Sequence, residues 1–271
     1  MVFEQLFKER WIEKKPQHAF LLGFVYSLIG IVSAKIVFGA NPGLMAVAFT
    51  SILLIPSLNA LLQHEENVEI REKKLSIKQL LNDHRDIFEI YIFLFLGIFF
   101  TFAIVSILLE PSSSEHVFES QLAVAGLSGS SYLQAEFLSI FSNNVVILVV
   151  CLLLSLVYGA GAILFITWNA SVWGVIFGFL AREAAVTLNQ NPFVYFGVML
   201  LPILPHMITE AVSYLSAAIV GGVVSKAVLR EKLGSKKFKH VLTDGLIFFG
   251  LAVVLVVIAA ILEVYVFPLI S

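Results

Sequence analysis

The chain has 271 residues, 59% of them hydrophobic and only 13% charged, with a mean hydropathy of +0.95 and a formal net charge of −2. No soluble domain of this size carries such a surface, so the composition places the chain in a lipid bilayer as an integral membrane protein. No basic patch interleaved with aromatics points to nucleic acid, so no nucleic-acid partner is expected, and the single cysteine, Cys151, excludes an internal disulfide.

Residues 1–18 carry charges of both signs ahead of a full-length apolar segment with no small-residue cleavage site behind it. That segment is therefore expected to remain as a transmembrane helix. Phe3, Leu6, Phe7 and Trp11 fall at helical spacing among Lys8, Arg10, Lys14 and Lys15, the pattern of a cytoplasmic helix lying on the membrane surface. The first span is expected at 19–38, with Lys35 snorkelling to the headgroups, and the second at 44–62, with Pro56 and Asn59 inside it. A tight turn at 39–43 makes 19–62 a helical hairpin. Residues 63–89 form a polar cytoplasmic segment in which Ile77, Leu80, Leu81 and Phe88 share one helical face.

The third span is expected at 90–109. Residues 110–131 then read as a flexible Ser- and Gly-rich loop on the opposite side, carrying Glu110, Glu115 and Glu119 but no Lys or Arg. Leu133, Phe137, Leu138 and Phe141 place a helix in the interface, leading into Asn143 and Asn144. The fourth span, 145–166, has Ser155 and Gly159 four apart with Gly161 beyond. The fifth opens at Asn169, carries Gly174 and Gly178 as GxxxG, and closes at Arg182 and Glu183, read as an interfacial anchor and a local ion pair. Small residues let backbones approach closely in lipid, so these two spans are expected to pack tightly on each other.

Residues 193–225 exceed one span and contain Pro202, Pro205, His206 and Glu210. A helix restarting at Pro205 would put His206 and Glu210 on one face, a turn apart. Beyond them Ser213, Ala217, Gly221 and Ser225 form a second close-contact seam. A basic cytoplasmic loop at 226–243 and a last span within 244–271 complete the chain.

Topology follows from counting. Residues 1–18 hold four Lys and Arg, 63–89 hold five and 226–240 hold six, which is 15 of the 17 in the chain. The positive-inside rule puts all three segments in the cytoplasm. The excess length of 193–225 must then resolve as a broken helix, a re-entrant half or a helix end emerging from the membrane. The expected fold is all-α, a polytopic membrane helical bundle of about seven transmembrane helices with one broken or re-entrant segment near Pro205. It is a single multi-pass domain of the cell membrane, with the N-terminus cytoplasmic and the C-terminus outside.

An ionisable pair inside a span needs a reason. His206 and Glu210 read either as a metal, proton or substrate site, or as a hydrogen-bonded lock holding a broken helix, with Asn143, Asn144 and Asn169 as partners. Zinc catalysis needs three protein ligands, and this HxxxE is accompanied by no other histidine within a span, so no metal or cofactor is expected. No nucleophile elbow, phosphate loop or carboxylate pair is present, and the expectation is a protein that is not an enzyme.

Asn143 and Asn144 before a span with Gly159 and Gly161, Asn169 before Gly174 and Gly178, and then Pro205, His206 and Glu210 together make residues 143–225 similar to the stage II sporulation protein M family. The family pattern resembles PHGxxE, and Met207 stands here where glycine is usual. The resemblance extends a family-like core over 90–225 and implies an assembly component that acts through membrane protein partners or as a homo-oligomer. In sporulating bacteria, members work with cell-wall-degrading partners during engulfment. The alternative carried by the residues alone is a small-molecule or ion transporter or channel built around His206 and Glu210.

Overall fold

A computed structural model describes residues 15–69, 85–128 and 137–266, and every long element in them is helical. The surface helix expected within 1–18 lies almost wholly outside these residues, as do Ile77, Leu80 and Leu81. Among the described residues, seven helices are long and apolar enough to cross a membrane. The first four elements are α1 (His18–Val37), α2 (Pro42–Glu69), α3 (Arg85–Leu108) and α4 (Pro111–Val117). They are followed by α5 (Glu119–Ser128), α6 (Phe137–Tyr158), α7 (Ile163–Leu188), α8 (Pro192–Arg230) and α9 (Lys236–Ile261). α9 runs on into a π-helical turn, Leu262–Val266.

Local sequence sets the ends. Asn41, with φ 50°, turns the chain into α2. Asn189 closes α7 in the left-handed conformation, and the Asn191 side chain accepts from the Phe193 amide at 2.9 Å to start α8, with Pro192 at its first position. Gly159, at φ 65°, makes the turn from α6 towards α7, and the next amide, Ala160, donates to Asn59 Oδ1 at 3.3 Å. Gly159 therefore shapes a turn and does not line a helix seam.

α3 and α8 form the centre. α1 crosses α3 at two reciprocal glycines: a Cβ on Gly23 would stand 2.5 Å from the Leu94 carbonyl oxygen, and one on Gly97 would collide with the carbonyl of Phe20. Thr101 Oγ1 donates across the same crossing to the Phe24 carbonyl at 3.2 Å. The GxxxG of α7 also lies on α3, with Gly174 against the carbonyl of Phe99 and Gly178 against that of Ala103. The fourth and fifth spans, expected to pack on each other, barely touch. α6 instead lies on α8, where Gly221 meets Ser155 and the carbonyl of Leu152. The GxxxG of α7 found its partner in α3, and Gly221 of α8 found its partner in α6, in neither case the neighbour in sequence.

Three further expectations change. The segment 110–131, read as a flexible loop, folds through residue 128 as α4 and α5. It is held by a buried Ser114 within 3.3 Å of Ser106 Oγ and by Phe118 packed on Phe102. α8 is continuous for 39 residues through Pro202 and Pro205, so the expected break is absent. Pro205 and the neighbouring Val198 and Leu201 are exposed, so the ring on this face displaces no packed neighbour and the helix continues. At 1.5 Å per residue α8 is about 58 Å long, nearly twice the hydrocarbon thickness. The excess leaves as a helix end: Phe88 in the first turn of α3 stacks on Phe248 at 5.8 Å, so α9 before Phe248 and the matching end of α8 project beyond the start of α3. The basic stretch 226–243 is thus mostly the tip of a helical hairpin, turned at Gly234 (φ 80°), with Ser235 accepting from the Phe238 amide at 3.1 Å.

Candidate intramembrane polar site

α3 spans about 36 Å, with its midpoint near Leu96. Met207, Ile208 and Ala211 of α8 line a narrow apolar cleft with Ile92, Phe95 and Leu96, which puts the turn from His206 to Glu210 level with the middle of α3. Met207 is 1% exposed and fills this contact.

Glu210 is 6% exposed, and Tyr214, one turn on, donates its hydroxyl to Glu210 Oε1 at 2.8 Å. Ser213 Oγ donates to the Glu210 carbonyl at 2.7 Å. His206 and Glu210 share a face as their spacing requires, and a third residue joins them from the last helix. Glu263 sits in the π-helical turn that ends α9, and one ligand atom from each of His206, Glu210 and Glu263 lies within 4.8 Å of the others. π-helical turns recur at functional sites. Two carboxyl groups and an imidazole at mid-depth can hold a divalent cation, share a proton, or form a hydrogen-bonded lock.

The asparagines named from sequence do not close this site. Asn143 Nδ2 donates to Asn144 Oδ1 at 3.4 Å, and Asn169 Nδ2 donates to the Phe165 carbonyl of its own helix at 2.9 Å. Tyr214 and Glu263 take the place given to them. Neither was singled out from sequence, although Glu263 is the only charged residue in the apolar run 246–269, a signal of the same kind that marked Glu210. The third potential ligand is a carboxylate from another helix and not a further histidine.

One polar position resolves differently from expectation. Arg182 Nη1 donates to the carbonyl of Ile107 in the last turn of α3, capping that helix instead of pairing with Glu183. A second buried acid, Asp244, is 3% exposed and pairs with His240 at 3.3 Å one turn earlier on α9.

No curated protein and no solved structure matches the chain. The family comparison does: the match runs over residues 90–268 and so takes in the last helix and Glu263 as well as the earlier motif. On that match, which leaves α1 and α2 outside it, the chain belongs to the Stage II sporulation protein M family.

Proposed function

We propose that the chain is a non-enzymatic membrane scaffold that acts through membrane protein partners in membrane remodelling or envelope assembly. The observation that carries this reading is the state of the bundle interior around α8. α8 buries 78% of its spanning stretch. The clefts beside it, one against α3 and one between Phe88, Val220, Val241 and Phe248, are apolar and about 10 Å³ each, room for one water and no solute. Such a helix is a spine. α6, by contrast, buries only 22% and presents Leu138, Val146, Leu153 and Val157 outward, a face open to lipid or to a partner helix. The family reading supports action through partners, and the absence of nucleophile and phosphate-loop motifs from the sequence supports a role without catalysis.

A transporter or channel is the second reading, favoured by the ionisable cluster at mid-depth, since transporters place such groups along their pathways. One set of cysteines, in a Cys151→Ser background, separates the two and tests the orientation proposed from the basic residues. Ser112 and Lys232 are both exposed, whereas Ser114 is buried and Ser235 caps α9. Ser112→Cys and Lys232→Cys are expected to react with an impermeant thiol reagent from opposite faces, Lys232→Cys from the cytoplasm. Ala211→Cys, beside Glu210, is expected to react from neither. Reaction of Ala211→Cys from one face would reveal an aqueous path and favour transport; reaction of the first two from the same face would overturn the topology.

A further inference from the structure

We propose that His206, Glu210 and Glu263 bind one divalent first-row transition ion, of which zinc is the probe, and that this ion ties α9 to α8 in the middle of the bundle. Geometry supplies the first argument. Three donor atoms at the corners of a 4.8 Å triangle lie about 2.8 Å from its centre, against about 2.0–2.2 Å for zinc bonds to nitrogen or oxygen, so each need move less than about 1 Å. Side-chain rotation alone covers that distance.

Charge supplies the second. Glu210 and Glu263 as carboxylates with a neutral His206 carry two negative charges, and a divalent ion brings the sum to zero where hydrocarbon disfavours any net charge. The donor chemistry, one imidazole with two carboxylates, suits a borderline first-row ion better than calcium, which takes six to eight oxygens. Orientation supplies the third. Tyr214 donates to Glu210 Oε1, the kind of hydrogen bond that fixes a ligating carboxylate, and a carboxylate has a second oxygen with which to bind an ion. Glu263 reaches the other two from a π-helical turn, a feature frequent at functional sites. His240 and Asp244 pair one turn apart on α9 and, among the described residues, belong to no group of three potential ligands, so they serve as the internal control.

The test uses the full chain, expressed in zinc-replete cells, purified in detergent through a tag that binds no metal, and assayed for bound zinc by elemental mass spectrometry. Wild type and His240→Ala are expected to carry about one equivalent per chain, and Glu263→Gln less than about a tenth of that. Tyr214→Phe is expected to lose zinc to a competing chelator at about 10–100-fold lower chelator concentration than wild type. Glu263→His, which restores a donor, keeps the question answerable if Glu263→Gln fails to fold, and is expected to retain the ion. Wild type with well under one equivalent, or zinc absent from Glu263→His, would overturn the proposal in favour of a metal-free carboxyl pair sharing a proton, and zinc retained in a folded Glu263→Gln would overturn it by placing the ion elsewhere in the chain.

Discussion

Glu210→Ala is expected to lower the melting temperature of the chelator-treated protein in detergent by about 2–12 °C, while Glu210→Gln stays within about 2 °C of wild type. Alanine leaves the Tyr214 hydroxyl, 3% exposed, without its acceptor, and an orphaned buried donor costs about 1–3 kcal/mol. At about 2–4 °C per kcal/mol for a chain of this size, that gives the range stated. Glutamine keeps the size and an acceptor for Tyr214, and removes one of two carboxyl groups that lie within 4.8 Å of each other. In zinc-loaded protein the order widens, because wild type alone gains the ion. Differential scanning fluorimetry of the three proteins with and without chelator reads both effects. Equal stability of all three in chelator would show that the polar cluster holds nothing together.

The second large effect is at the α1–α3 crossing. Gly97→Ala adds one methyl group where the Phe20 carbonyl already stands, and backbone cannot move aside as a flexible side chain can. Overpacking of this kind costs about 1–3 kcal/mol, and Gly97→Leu is expected to exceed it or to prevent folding. Gly250→Ala on α9 is the contrast, because nothing lies within 4 Å of a Cβ there. That change should stabilise by up to about 1 kcal/mol through helix propensity alone. Opposite signs of the two melting-temperature shifts are the expected result. A stabilised Gly97→Ala would mean that α1 does not cross α3 this closely.

The spans were legible in the sequence because twenty apolar residues in a row admit few other fates, and each expected span overlaps an observed one. What the spans touch was not legible. Gly174 and Gly178 announce a close contact, but nothing in them says that the contact is Phe99 and Ala103 of α3 and not the adjacent α6. The continuity of α8 was missed for a related reason. Pro202 and Pro205 each remove one hydrogen bond, and whether the helix then breaks depends on what packs around it, which is known only once its neighbours are placed. Residues 110–128 read as a loop because their serines favour caps and turns. Ser114 and Gln121 are instead buried against the rest of the bundle, and tertiary contact overrides the local preference. His206 and Glu210 stood out because charge in a span is conspicuous, whereas Tyr214, half apolar, did not. Glu263 was visible but lay on a different helix, and only the antiparallel pairing of α8 with α9 brings it to the other two.

The scaffold reading makes the chain's business its contacts with other membrane proteins, and purification from native membranes tests that most directly. Tagged protein expressed at its natural level and extracted in several mild detergents is expected to bring down the same membrane protein in stoichiometric amount each time, or a second copy of itself. Substituting polar residues on the outward face of α6, at Val146 and Leu153, is expected to release it. Recovery of the lone monomer in every detergent, with solute flux into proteoliposomes made from it, would contradict the scaffold and establish the transporter.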